Sequence, residues 1–324
     1  MRFAVLAPLA SLGLAALLAG CASTADEIHG LDPDSAFDVA KAKFDAGEFE
    51  TAAELFETVA TEFPKSPRAE DSQFYLALSY YKDGEHSDAV KLFKDFAKNH
   101  TRSSHLPAVE ETLFEIGLDY LDGRAKGFLG IFTSESSGVE VLEHVLTTFP
   151  RGKRGIDSQR ILANYYFADG DWPAALAEYQ QLSKNYPRSE WKPVSDFRVG
   201  LCYLEQSRGW EYDRDLLVKA RTTFEGYIHE FPEGANVEEA RRHVTEITAT
   251  LAEKDYRKAA LYIFWEKWTS ARIFLGDVLR NYPDSPWAER AREDLVRVEE
   301  KLAAEKLLEE EKAPKAAPAP GSTP

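Results

Sequence analysis

Residues 170–189 read "GDWPAALAEYQQLSKNYPRS" and residues 47–66 read "GEFETAAELFETVATEFPKS". The two stretches are equally long and agree at Gly, Ala, Pro and Ser. Aromatic residues fill the same three slots, Trp172, Tyr179 and Tyr186 against Phe49, Phe56 and Phe63. Apolar residues three or four positions apart share one face of a helix, so each stretch is a helix with one side to bury. The proline stops it, because a residue without a backbone N–H cannot extend the hydrogen-bond ladder. A chain that writes one amphipathic helix repeatedly is built from stacked units.

Anchoring on alanine, on the apolar residue four later and on the proline gives six registers. They are Ala52/Phe56/Pro64, Ala89/Phe93/Thr101, Gly138/Leu142/Pro150, Ala175/Tyr179/Pro187, Ala220/Phe224/Pro232 and Ala271/Leu275/Pro283. First and last anchors stand 12 residues apart in all six, with Thr101 and Gly138 as the two departures. Upstream lie "FYLALSYY" (74–81), "FEIGLDYL" (114–121), "ILANYYFA" (161–168) and "FRVGLCYL" (197–204), each with a small residue and a tyrosine three later. This is the helix A pattern of tetratricopeptide repeats, and the anchored segments are helix B. The fold expected is all-α, a tetratricopeptide solenoid of about six helix pairs. Ala77, Gly117, Ala163 and Gly200 are the small residues that let the alanine of helix B come close. Ser66-Pro67 and Ser285-Pro286 read as a serine cap followed by a helix-opening proline. A capping helix is expected from about Pro286, with Leu295, Val298, Leu302 and Leu307 along one side.

The terminal anchors are spaced 37, 49, 37, 45 and 51 residues apart, against about 34 for a bare repeat. The excess falls in "DGRAKGFLGIFTSESSG" (122–138), in "EQSRGWEYDRD" (205–215) and in a last helix A running from about Val237 to Phe264. Phe128, Leu129, Ile131 and Phe132 form an apolar group that either tucks under the solenoid or meets a partner.

The ends of the chain carry other signals. "MRFAVLAPLASLGLAALLAGC" places Arg2 before an apolar run to Ala19, a secretory signal peptide over residues 1–20. Leu18-Ala19-Gly20-Cys21 resembles the bacterial lipobox, which implies lipidation of Cys21 with fatty acyl chains such as palmitate and attachment to a membrane. Residues 21–33 then form a lipid-anchored linker, 34–310 the solenoid and 311–324 a disordered Ala/Pro-rich tail. Ala22 after the cysteine, by resemblance to enterobacterial sorting, points to the outer membrane and the periplasm. The formal net charge of −16 opposes binding to nucleic acid or to an anionic lipid surface. Cys202, the other cysteine, reads as a small buried hydrophobe.

No chemistry emerges. H-E-x-x-H, G-x-S-x-G and GxxxxGK[ST] are all absent, "HTRSSH" (100–105) reads as a solvated turn, and no catalytic residue, metal or cofactor is expected. What remains is a surface for protein–protein interaction. Phe37, Lys41, Phe44, Phe74, Leu78, Tyr81 and Lys82 either line an apolar groove with two lysines for a carboxylate, or pack between helices.

The stretches 43–100 and 251–302 resemble the BamD (ComL, YfiO) family of outer-membrane assembly lipoproteins, the second through "LAEKDYRKAALYIFWEKW" and "NYPDS". The resemblance implies a non-enzymatic scaffold on the periplasmic face of the outer membrane. It implies a β-barrel assembly subunit as partner, held by the C-terminal repeats around Tyr256, Arg272 and Arg280. It further implies that unfolded outer-membrane proteins are received around Phe37 to Lys82. Two other classes share the build: pilot lipoproteins of secretion or pilus systems, and scaffolds that coordinate cell-wall synthesis and division.

Overall fold

The structure, a computed structural model, describes residues 27–125, 134–208 and 213–312. Among these residues there are thirteen helices and no strand. Six pairs follow in order: α1 (Pro33–Asp45) with α2 (Phe49–Glu62), α3 (Pro67–Lys82) with α4 (His86–Asn99), and α5 (Leu106–Leu121) with α6 (Ser134–Thr148). Then come α7 (Gly155–Asp169) with α8 (Trp172–Asn185), α9 (Lys192–Gln206) with α10 (Arg214–Glu230), and α11 (Val237–Phe264) with α12 (Trp268–Asn281). The last helix, α13 (Pro286–Lys312), packs on both α12 and α11. The tetratricopeptide reading therefore holds, including the long α11. The chain divides into two compact units at Ser158/Gln159.

Within each pair the anchors point inward. Ala52, Ala89, Ala175, Ala220 and Ala271 are wholly buried, as are Phe56, Phe93, Leu142, Phe224 and Leu275. The small residue of helix A serves a different contact from the one expected. A methyl group on Gly200 would lie 2.6 Å from the Phe224 ring, and one on Gly117 would lie 2.8 Å from Leu142. Thus the small residue makes room chiefly for the second, larger anchor. In the third pair the degenerate Gly138 also meets it, since a Cβ there would stand 2.8 Å from the Gly117 carbonyl.

Turns between pairs repeat one geometry. Phe63, Tyr186, Phe231 and Tyr282, each just before a proline, have φ between −120° and −141° and ψ between 53° and 66°. The φ values lie within the range that proline leaves its predecessor, while ψ stays below the extended range. His100 adopts φ −118° and ψ 56° without one, so Thr101 costs the turn nothing in shape. Ser66 accepts from the Arg68 N–H at 3.1 Å and caps α3. Ser285 departs from expectation: its hydroxyl donates to the Tyr282 carbonyl at 2.9 Å.

Along α13, Ala288, Ala291 and Val298 are buried, with Leu295 and Leu302 half-buried against α11 and α12. Leu307 does not continue the stripe; it is 66 % exposed, because a step of five residues from Leu302 turns it roughly 140° away from the packed face. Cys202 is fully buried, and burial pushes its thiol up to about 12, which leaves it a packing residue.

Two glycines test this account. Gly200→Ala must displace the Phe224 ring and should lower stability by about 1–3 kcal/mol. Gly276 lies within α12 with nothing within 4 Å of its Cβ position, and Gly276→Ala should raise stability by about 0.5–1 kcal/mol. Urea unfolding followed by circular dichroism measures both. Equal effects of the two substitutions would remove the close approach as the organising contact.

Candidate interaction surfaces

In the first unit, α3 touches both α1 and α5 as well as its own partner, so three A helices lie side by side. Phe37 and Phe74 do not line an open groove: each is 6 % exposed. Phe37 packs on Phe56 at 5.5 Å and lies under the Arg68 guanidinium at 4.8 Å. Phe74 packs on Phe93 at 6.1 Å and stacks on His105 at 4.3 Å. These phenylalanines are the wedge between successive helices, which is why an aromatic recurs at that position.

The side chains that do reach the surface are neighbours. Lys41 is half-buried, ion-paired with Asp45, and its Nζ lies 5.5 Å from the Phe44 ring centre and 5.3 Å from that of Tyr75. Phe44 meets Tyr75 edge-on at 5.5 Å. Leu78 is half-buried on the core, and exposed Lys82 lies 5.3 Å from the Tyr81 ring centre. The Tyr81 hydroxyl donates to Asp119 Oδ2 at 3.2 Å, and Asp119 is itself paired with Arg124 at 2.9 Å. Burial, followed by the Asp119 charge, pushes the Tyr81 phenol up to about 12. His86 completes this cluster, with Nδ1 2.7 Å from the Gly84 carbonyl and Nε2 3.3 Å from Asp119. Tyr75, Asp119 and Arg124 escaped sequence reading. Tyr75 adjoins the expected Phe74, and the i+1 residue on a helix faces elsewhere.

The turn read as solvated holds a seam instead. His105 Nε2 is 2.8 Å from Asp71 Oδ1 and His100 Nε2 is 2.7 Å from Gln73 Oε1, both on α3.

In the second unit the basic candidates are accessible and the tyrosine is committed. Tyr256 donates to Asp294 Oδ2 on α13 at 2.6 Å and packs on Trp287 at 5.1 Å. Burial and Asp294 push its phenol up to about 12. Arg272 and Arg280 are exposed, 3.9 Å from Glu299 and 3.2 Å from Asp277. Around the turn from α11 to α12 lies a set of exposed apolar residues that sequence reading did not single out: Phe264 is 80 % exposed, Ile273 56 %, Trp265 52 % and Leu261 45 %. Tyr262 supports it from below, 5.8 Å from Trp265 and stacked on Phe274 at 5.0 Å. The turn carries Glu266 at φ +55°, a left-handed conformation that glycine fills in the first, second and fourth pairs at Gly47, Gly84 and Gly170. Cys21, Phe128 and Phe132 lie outside the described residues.

Helix pairs closed by a capping helix, with aromatic and basic side chains on the surface, define a tetratricopeptide-repeat scaffold. The sequence profile of the YfiO family, described as "Outer membrane lipoprotein", matches residues 30–122 and 133–314, and the chain belongs to that family. It is similar to "Outer membrane protein assembly factor BamD" of Vibrio cholerae serotype O1, 23 % identical over 186 residues, which cover 54 % of this chain and 77 % of that protein. The protein of the same description from Neisseria gonorrhoeae is 24 % identical over 223 residues, covering 60 % and 81 %. Among solved structures, a tetratricopeptide repeat protein from Parabacteroides merdae aligns over 82 % of this chain and 98 % of its own at 12 % identity and a TM-score of 0.34. The MamA protein aligns over 64 % and 95 % at 17 % identity and a TM-score of 0.33. With this membership the chain is a scaffold for protein–protein interaction and not an enzyme. Among the described residues no helix is long and apolar enough to cross a membrane.

The buried phenols give a pH test. Tyr81, Tyr179 and Tyr256 are all pushed up to about 12. An unfolded phenol ionises near ~10. Between pH 10 and 12 the unfolded chain thus loses protons that the folded chain keeps, and stability should fall as pH rises through that window. Absorbance at 295 nm should show at least three of the fourteen tyrosines protonated until the helices melt. A single smooth titration of all fourteen near pH 10 in folded protein would contradict these environments.

Proposed function

We propose that this chain is a lipid-anchored periplasmic scaffold in the assembly and insertion of β-barrel proteins of the outer membrane. Family membership carries the reading, since matched relatives from two genera share the description of outer membrane protein assembly factor. In this proposal residues 1–20 direct secretion, Cys21 takes the lipid, and the helices after Asp32 form the scaffold.

The contact for the barrel-forming subunit is assigned to the surface around Leu261, Phe264, Trp265, Arg272, Ile273 and Arg280. An exposed aromatic pair with a basic rim is what a protein interface needs: rigid apolar anchors surrounded by charges that select the partner. Residues 254–273 hold five basic and two acidic residues in a chain of net charge −16, so the partner's facing surface should be acidic. Unfolded outer-membrane proteins are assigned to the surface of Lys41, Phe44, Tyr75, Leu78, Tyr81 and Lys82. There a lysine over an aromatic ring accepts a carboxylate while the rings accept aromatic side chains.

Affinity purification of the lipidated chain from its own envelope in mild detergent, with mass spectrometry, tests the reading. A stoichiometric barrel protein with periplasmic domains is expected. A ring-forming secretin or cell-wall synthases in its place would overturn it. Phe264→Ala with Trp265→Ala should weaken capture of the barrel protein by about 10–100-fold while leaving the melting temperature unchanged, because neither ring is buried.

A further inference from the structure

Cys21 and Glu27, the first described residue, are six Cα–Cα steps apart. Six trans steps reach at most about 20–22 Å, whatever path the chain takes. From Glu27 onward the chain is fixed to the first unit. Ile28 is 1 % exposed and packs with Ala36, Phe37, Ala40 and Ala52 in the core of the first pair. The Glu27 carboxylate lies 3.6 Å from Lys43 Nζ, which also donates to Glu48 Oε2 at 3.1 Å. Lys43 is in the last turn of α1 and Glu48 directly precedes α2. The chain therefore enters the fold beside the turn from helix A to helix B of the first pair.

That turn belongs to one edge of the unit. In the first two pairs three residues, 46–48 and 83–85, join helix A to helix B, so the helices run antiparallel and these turns fall at the same end. Asp119, near the end of α5, ties the third pair to this edge through the Tyr81 hydroxyl at 3.2 Å and His86 Nε2 at 3.3 Å. The opposite edge, with Pro64 and Thr101, is a helix length away, about 21 Å for the 14 residues of α2. Lys41, Phe44, Tyr81 and Lys82 stand at the C-terminal ends of α1 and α3 and so share the edge at which the chain enters. Asp45, Glu48, Glu50, Asp83 and Glu85 outnumber the lysines there. Among the described residues none of the exposed large hydrophobics lies on this edge, and a surface that enters a bilayer needs an apolar face.

We propose, on the lipidation of Cys21 assigned above, that this edge of the first unit faces the lipid surface without entering it. The acyl chains supply the attraction, and the short chain from Cys21 sets the orientation. For the opposite edge to face the lipid, the tether would have to run fully extended along the whole helix length, and such extension costs chain entropy. A polypeptide held around Phe44 and Tyr81 is then presented towards the headgroups.

The test uses the lipidated full chain in phosphatidylcholine vesicles that carry a headgroup acceptor dye. A donor dye is placed on Glu50→Cys or on Lys65→Cys, exposed positions at the two ends of α2; Cys202 is wholly buried and stays unlabelled. Energy transfer from Glu50→Cys is expected to exceed that from Lys65→Cys, with a closest approach to the lipid shorter by about 20 Å. An insert of about twenty Gly/Ser residues between Ala25 and Asp26, with an r.m.s. span of about 25 Å, should remove most of that difference. Equal transfer from the two positions, or more from Lys65→Cys, overturns the orientation. A difference unchanged by the insert overturns the tether as its cause. Mass spectrometry of the N-terminal peptide separates two failures. A Cys21 without acyl mass overturns the lipid anchor and the orientation with it, whereas an acylated chain with equal transfer overturns the orientation alone.

Discussion

Everything in this chain depends on how closely two helices of a pair can approach. Where helix A offers glycine, the larger anchor of helix B sits almost on its backbone, as Phe224 does over Gly200 and Leu142 over Gly117. That approach buries Leu142 and Phe224 completely, worth about 1.5–3 kcal/mol for each such side chain. Among the described residues every helix but α11 and α13 is 13 to 17 residues long, and isolated helices of that length are marginal in water. Pairing makes the unit, and contact with the next pair completes it.

Pair geometry in turn decides what is left for function. Once an aromatic at the wedge position is required to fill the gap between helices, it is unavailable to a ligand, however regularly it recurs. Phe37 and Phe74 show this in the first unit, and Phe197, 4 % exposed beside Phe224 and Tyr227, shows it in the second. The surface is then built from side chains one turn away that have polar partners: exposed Asp45 beside Lys41 and buried Asp119 beneath Tyr81. The Asp119 carboxylate holds the half-buried Tyr81 ring in place without adding apolar area.

The periodicity of the sequence carried the number of pairs, the long α11 and the start of α13, because these follow from spacing along one helix. It could not say which neighbour a helix face meets. Phe74 and Tyr75 are adjacent and both aromatic, and only the placement of the neighbouring helices shows that Phe74 is buried against α4 while Tyr75 is half-buried against Phe37, Phe44 and Phe56. Likewise "LYIFWEKW" (261–268) reads as an ordinary helix end, since apolar residues are presumed inside. The structure leaves Leu261, Phe264 and Trp265 exposed although α12 and α13 both pack on α11. His100 and His105 were legible as residues and illegible as a seam, because their partners Gln73 and Asp71 lie on α3, with α4 between in the chain. Ser285 was misjudged for a local reason: its hydroxyl has a carbonyl acceptor three residues back, which competes with capping.

The exposed aromatic patch raises a solubility question that the charge of the chain answers. Phe264, Trp265 and Ile273 form an apolar surface that a neutral protein would tend to bury by self-association. Here the remainder of the chain is strongly acidic, and identical molecules repel one another. The patch, however, sits in a locally basic stretch, so a partner with an acidic face is attracted where a second copy is repelled. Acidic residues elsewhere thus act as a filter on what may reach the aromatics. The filter needs no contact with the partner at all: it works through the long-range field before the surfaces meet. It therefore weakens with added salt over a Debye length of about 8 Å at physiological ionic strength, whereas the packing that sets the aromatics in place does not.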